Sequence, residues 1–463
     1  MVGTRGSTDS SKNKNMNFPK HIAASGRWLT GLLASLLLLT TACETEFTNP
    51  NSPTDAQILN SREGLIALSV GVKQLYSTSG VRWLVETPAI TTREGGITTT
   101  FQNMIELEDG GSELPNFNSN VAGLWSTMLR VVVSCNDLIA GVDNVDLSPE
   151  LRSSILAFAN AMKGMAIGAL AQHYEQVVVD PSINNDAAFI ARNQGFQFAI
   201  RFLENATTAL GGSTVDGDFQ ATVLGGMDLP NTILAFQARF NLYAGNYEPA
   251  MDAAMAVDQS VASVFDYDLL NPNPIWGRII ENNAPNFKPR DNFGLPDEFV
   301  IDDADGRKAF YLIPLDETNQ NGLPIEDIAG FFQTDVEPIP VYLPDEMLLI
   351  MAEAELRLNS DTDAALGFIN EVRNDADDIF GVNAGIGDYE GEETVEALLR
   401  EVFFQRRLEL FLTGQSLEDS RRFGRPQPST AVRVFTDERN RNFYPYPERE
   451  RNNNPNTPSD PQI

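Results

Sequence analysis

Two stretches of this chain encode paired helices that cannot bury their apolar faces alone. From Val341 the run VYLPDEMLLIMAEAELRLNSDTDAALGFINEVRNDAD puts Met347, Leu348, Met351 and Leu358 at helical spacing. Asp345 is the expected N-cap. Asn359-Ser360-Asp361 reads as a turn, and Ala365, Phe368, Ile369 and Val372 give the partner helix its apolar stripe. Asn231 to Val257 repeats the plan. Ala235, Ala238, Leu242 and Tyr243 lead to Gly245-Asn246-Tyr247, and Ala250, Ala253 and Ala254 follow. Small residues on both helices and a Gly-x-Tyr turn match a tetratricopeptide-like unit. Such pairs bury their faces by stacking, so about four of them are predicted. Further helices are expected at Ser61–Ser77, Trp125–Val142 and Leu151–Gln176, with Trp125 in the core and Ile155, Phe158, Met162 and Ala169 on one face. The predicted fold is all-α dominated, a tetratricopeptide-like hairpin scaffold carrying a loop-rich insert subdomain.

The insert is residues 266–340, which include NPNPIWGRIIENNAPNFKPRDNFGLPDEF. This segment is too long for a connection and too polar for a core, which predicts a functional loop subdomain. Gly80–Gly123 is a second region expected to be loop-rich. Asp303-Ala304-Asp305-Gly306 has two carboxylates at calcium-loop spacing, but the rest of that loop is missing, so it reads as a turn.

The N-terminus supplies an address. Lys12, Lys14, Lys20 and Arg27 precede the apolar run Trp28–Leu39, which ends at Thr40-Thr41-Ala42-Cys43. The run is too short to span a bilayer and reads as a secretory signal. A Cys directly after small residues makes it a lipoprotein signal with Cys43 as the lipidated residue. The predicted divisions are signal peptide 1–42, lipidated tether 43–58, helical part 59–265, insert 266–340, and C-terminal helical core with tail 341–463.

Charge and residue usage exclude several function classes. The chain carries 64 acidic against 33 basic side chains; five of the basic and one of the acidic lie in residues 1–42. Phosphate binding needs cationic patches, so nucleic acid is not an expected partner. After position 42 only Cys135 remains besides Cys43, and His173 is the sole histidine. Disulfides, thiolate metal clusters and His-based catalytic triads therefore lack their parts. No cofactor and no metal site are expected.

Val341–Pro426 closely resembles the C-terminal core of the SusD/RagB family, the lipid-anchored partners of outer-membrane nutrient transporters. Met351-Ala352-Glu353-Ala354-Glu355 is similar to the family's AEA helix, and Phe368-Ile369-Asn370-Glu371-Val372-Arg373 to its INxVR segment. Arg406-Arg407-Leu408-Glu409-Leu410 resembles the ERxxEL helix. Gly414–Gly424 resembles the following G-x-R-x-x-D-x-x-R-W strip, with Asp419 and Arg422 on its acidic and basic positions. Tyr444-Pro445-Tyr446-Pro447 and Asn454-Pro455 are similar to its YPIP and terminal Asn-Pro. Gln405, Ser416 and Phe423 stand where Glu, Arg and Trp are usual. The charges Glu353, Arg373, Glu409 and Arg422 read as scaffold ion pairs, because a buried unpaired charge is costly.

The resemblance implies a non-enzymatic, surface-exposed binding protein, lipid-anchored in the cell outer membrane. It would capture an oligosaccharide or another oligomeric nutrient and close as a lid over a SusC-like TonB-dependent transporter. In this family loops over the helices form the pocket. Trp83, Trp276, Phe287 and Tyr311 are then the aromatic candidates for stacking on sugar faces. Arg93, Asn103, Arg290 and Asp291 are the candidates for hydrogen-bonding hydroxyls. Two alternatives are a lipid-anchored glycoside hydrolase using two carboxylates and a tetratricopeptide-like protein-interaction scaffold.

Overall fold

A computed structural model describes residues 59–281 and 284–463; the signal segment, the tether and Cys43 lie outside the described residues. Helix α1 (Arg62–Leu75) starts on Ser61, whose hydroxyl accepts from the Gly64 amide, and a π-turn leads into α2 (Val81–Thr91). Strand β1 (Gly95–Ile97) and α3 (Gln102–Asp109) follow. Helix α4 (Ser119–Gly141) is capped by Asn118, and α5 (Pro149–His173) by Ser148 with Pro149 in its first turn. After the pair β2 (Gln176–Val178) and β3 (Phe189–Ala191) come α6 (Arg192–Leu210), α7 (Leu229–Ala244) and α8 (Tyr247–Met255). Gly245, at φ 80°, makes the turn between the last two. No side chain but glycine takes that conformation freely.

The insert begins after β4 (Val264–Phe265). It carries α9 (Trp276–Ile279), β5 (Phe287–Pro289), α10 (Gly306–Tyr311), the hairpin β6 (Leu312–Thr318) and β7 (Pro324–Ile328), and β8 (Ile339–Pro340). Then come α11 (Pro344–Leu358), α12 (Thr362–Asn374), α13 (Val395–Glu409), α14 (Ser416–Arg422) and α15 (Glu448–Asn453).

The long helices stack as four pairs: α1 with α4, α5 with α6, α7 with α8, and α11 with α12. Contacts of α4 with α5, α6 with α7 and α8 with α11 join each pair to the next. Helix α5 runs through the middle and is buried on all sides rather than on one face. Its small residues make that possible. A Cβ at Gly164 would lie 2.9 Å from the Ala199 carbonyl oxygen, and one at Gly168 would overlap the Phe240 ring. Ile155, Phe158 and Met162 are fully buried; each contributes about 1.5–3 kcal/mol of hydrophobic stabilisation. This is the one described helix apolar and long enough to cross a membrane, and its sides are covered by protein. Trp125 is in the core, stacked on Phe189 with centroids 5.6 Å apart. His173 is buried and stacked on Tyr444. Burial pushes its imidazole down to about 4, so the ring is neutral near pH 7.

Two local expectations change. Asp345 does not cap α11: Leu343 holds that position without a side-chain bond, Pro344 occupies the first turn, and Asp345 is buried inside it. Proline's fixed φ suits the first helical residue, and that displaces the cap by two positions. Residues 80–123 carry α2 and α3 rather than loop alone; burial of Val85, Ala89 and Ile90 outweighs the breaker signals of Gly80 and Pro88.

The insert is tied down at both ends. Antiparallel pairing of Val264 with Pro340 and Phe265 with Ile339 brings its entry and exit together. Pairing of Gly95–Ile97 with Phe287–Pro289 fastens its middle to the chain after α2. Charged residues complete the attachment. Glu409 accepts from Arg307 of the insert at 3.4 Å, and Gln405 accepts from the same guanidinium at 2.6 Å. Arg422 pairs with Glu353 and Asp419, and Arg406 bonds Asp419 at 2.9 Å. Arg373 turns elsewhere, to Glu401 at 2.7 Å. All four expected scaffold charges are paired, though not in one cluster.

Candidate functional site

The eight candidate residues occupy three environments. Arg93, Arg290 and Asp291 meet where the chain after α2, the run after β5 and the loop at 434–438 converge. Arg93 has φ 64°, a left-handed conformation that costs a branched or long side chain of order 1 kcal/mol. Its surroundings hold it there. The Arg290 amide donates to the Glu94 carbonyl at 2.8 Å. Arg93 Nη1 donates to the Glu108 carbonyl at 2.8 Å and Nη2 to the Val434 carbonyl at 3.2 Å. Its guanidinium carbon lies 5.3 Å from the centre of the Phe435 ring.

These segments enclose a cleft of about 380 Å³ lined by Arg93, Arg290, Asp297, Glu298, Phe435 and Asp437, among others. That is room for a small ligand or one or two sugar rings. Burial lowers the Arg93 guanidinium to about 10, opposed by Glu108 and assisted by Arg290; it remains a cation at neutral pH. Burial lowers Arg290 as well, against the pull of Asp291. The Asp291 carboxylate lies 3.9 Å from Arg290 Nε and is substantially exposed.

Trp83, Asn103 and Trp276 border a second patch built around Glu86, which is fully buried. Glu86 accepts from Asn120 at 2.6 Å and from both Nε and Nη2 of Arg278, and Asn103 donates to Asn120 at 2.6 Å. Trp83 lies under the Arg82 guanidinium at 4.1 Å. The Trp276 amide donates to Asn273 at 3.1 Å, placing α9 so that Arg278 reaches Glu86. Two rings stand open beside this network: Phe101 is 57% exposed and Phe117 63%. Asn118, next to Phe117, donates to the Asn103 carbonyl at 2.9 Å.

Phe287 and Tyr311 are fully buried. The Phe287 ring lies against Gly95. Tyr311 donates to the Glu409 carbonyl at 3.1 Å and packs on Phe293, Phe331 and Phe411. As placed, both rings fasten the insert to the helices and present no face to solvent.

Sequence reasoning missed Phe435 and Asp297 in the cleft and Phe101 and Phe117 on the second patch. The Pro- and Ser-rich segment RPQPSTAVRVF is the signal that could have drawn attention to Phe435. Burial raises several carboxyls, among them Glu108, held by the Ile97 amide, Asn319 and Asn321, and half-buried Asp378 in the loop after α12. Glu94 is pushed up to about 7 beneath Arg407, and Asp345 and Glu409 are raised together between α11 and α13. What the cleft offers is cations below, carboxylates at the edge and one aromatic face. That arrangement binds a polar ligand through hydrogen bonds and stacking.

Residues 337–461 match the model of the SusD family. No match exists among curated proteins. Solved structures share the fold over most of the chain at low identity. A SusD superfamily protein from Bacteroides thetaiotaomicron has 16% identity and a TM-score of 0.64, covering 86% of this chain and 99% of that one. A SusD-like carbohydrate-binding protein from Bacteroides fragilis has 14% identity and a TM-score of 0.65, covering 87% and 100%. B. fragilis NanU has 14% identity and a TM-score of 0.64, covering 89% and 99%.

Proposed function

We propose that this chain, whose residues 337–461 match the SusD family model, is a SusD-family protein that binds oligosaccharide without chemically altering it. One observation carries the reading: at the seam between insert and helices, a cleft combines buried arginines, edge carboxylates and the Phe435 ring. Saccharides are held through such groups, the hydroxyls by charged hydrogen-bonding partners and the C–H face by a flat ring. The solved structure described as a SusD-like carbohydrate-binding protein, which shares the fold, supports the same reading. Binding rather than glycoside hydrolysis is favoured by the carboxyls. General-acid catalysis needs a raised carboxyl facing the substrate, whereas Glu94, Glu108, Asp345 and Glu409 are buried, and raised Asp378 is not among the residues that line the cleft.

The protein acts at the cell surface, held in the outer membrane by lipid on Cys43, and hands its ligand to a SusC-like TonB-dependent transporter as a lid. The signal-like segment ending at Ala42-Cys43 supports the anchor. Affinity purification of the full chain from outer membranes tests the partnership. A large plug-containing β-barrel should co-purify in stoichiometric amount; repeated recovery of the lipoprotein without any barrel would refute it.

A further inference from the structure

Arg290 differs from the other buried arginines in having no side-chain hydrogen bond; Arg439 and Arg441 lack a carboxylate too, but they donate to Asn442 and to backbone carbonyls. Arg239, Arg307 and Arg406 each bond a carboxylate, Glu346 at 2.5 Å, Asp305 at 2.8 Å and Asp419 at 2.9 Å, and Arg422 pairs with Glu353. Arg290 is 8% exposed, yet its guanidinium makes no hydrogen bond to any described residue, and its nearest carboxylate, Asp291, is 3.9 Å away. Its Nε is buried without a partner. Arg93, 3% exposed beside it, also has a partnerless Nε and bonds only neutral carbonyls. Arg290 is close enough to Arg93 to help lower its pKa. Buried guanidinium groups are normally neutralised.

The nearby carboxylates make no hydrogen bond to either guanidinium. Glu108 attracts both cations, but its carboxylate accepts from the Ile97 amide at 2.8 Å, from Asn319 at 2.9 Å and from Asn321. Glu438 is taken by Arg407, Ser420 and Arg425, and Glu298 by Arg425. Asp437 accepts from the Ser429 amide at 2.6 Å. Asp297 lines the cleft with its side chain exposed, where it can accept from hydroxyls, and Asp291 is exposed beside Arg290.

Resting on the saccharide-binding reading, we propose that the floor of this cleft takes the carboxylate of an acidic sugar. The oligosaccharide is then uronate-bearing. Arg290 supplies a free planar fork suited to two carboxylate oxygens, and Arg93 adds a second charge. Phe435 presents its ring to the sugar's C–H face, and the edge acids take the ring hydroxyls.

Calorimetry on the full chain in detergent, with oligogalacturonate, oligomannuronate and oligoglucuronate each beside its methyl ester, tests this. At least one acid should bind tenfold or more tighter than its ester. Arg290→Gln should abolish that preference by weakening binding of the acid at least tenfold more than that of the ester, with an unchanged helical circular-dichroism signal showing that the variant is folded. Arg290→Lys should restore part of it. Equal affinity for acid and ester, or an acid preference that survives Arg290→Gln, would overturn the uronate assignment and leave saccharide binding standing. Binding of carboxylated peptides with no saccharide bound, neutral or acidic, would overturn both.

Discussion

Arg93 and Gly294 meet backbone to backbone: a Cβ on Gly294 would stand 2.7 Å from the Arg93 carbonyl carbon. Both residues are left-handed, at φ 64° and 72°. The contact sets how close the insert comes to the turn after α2, and so the width of the cleft. Gly294→Ala meets a steric clash and an unfavourable φ together, at about 1–3 kcal/mol of stability. Affinity for saccharide should fall at least tenfold while far-ultraviolet circular dichroism keeps its helical signal. Isothermal titration beside thermal unfolding measures both.

Gly168 and Phe240 give a matching prediction within the scaffold. A methyl at 168 would enter the Phe240 ring, and the surrounding core has no slack for it. Gly168→Ala should destabilise by about 3 kcal/mol. Pairing it with Phe240→Leu should recover part of that loss in urea unfolding, because the smaller side chain vacates the same space.

Much of this scaffold was legible before any coordinates. Turns such as Gly245-Asn246-Tyr247 and the spacing of Ala365, Ile369 and Val372 report purely local physics, and the four stacked pairs follow from them. Asp345 shows where local rules compete, since Pro344 was the stronger helix-start signal. The site was less readable. Arg93, Arg290 and Asp291 converge, but Phe435 is more than 100 residues from any of them, and no periodicity links it to the cleft. Phe287 and Tyr311 looked like ligand aromatics because residue type alone does not separate a ring that fastens an insert from one that faces solvent.

Arg239 and Glu346 form a two-pronged pair, at 2.6 and 2.5 Å, joining α7 to α11. Arg239→Met strands a buried carboxylate and should cost about 3–5 kcal/mol. Arg239→Met with Glu346→Leu should be far less harmful than the single change. Chemical denaturation of the two variants and the parent completes the comparison.

Glu94 makes stability depend on pH. Burial raises its carboxyl from 4.5 to about 7, with Arg407 opposing. Because the folded value lies above the unfolded one, its contribution is fully present below pH 4.5 and is lost as pH rises through about 7. The loss is of order 3 kcal/mol. Asp345 and Glu409 are raised by burial and act with the same sign. Glu418 opposes them: burial works to raise it, but Arg192 and Arg421 hold it at about 2, so its stabilisation disappears in strong acid. Thermal unfolding should therefore be highest in mild acid and decline toward pH 8. Glu94→Gln should flatten that decline.

The central claim is that this protein captures saccharide intact. Incubating the purified full chain with a set of oligosaccharides, acidic and neutral, and following both bound ligand and chain length by mass spectrometry tests it most directly. Saturable binding with every bound oligosaccharide recovered at its original length is the predicted result. Shortened products that scale with protein concentration, or no binding to any oligosaccharide, would contradict it.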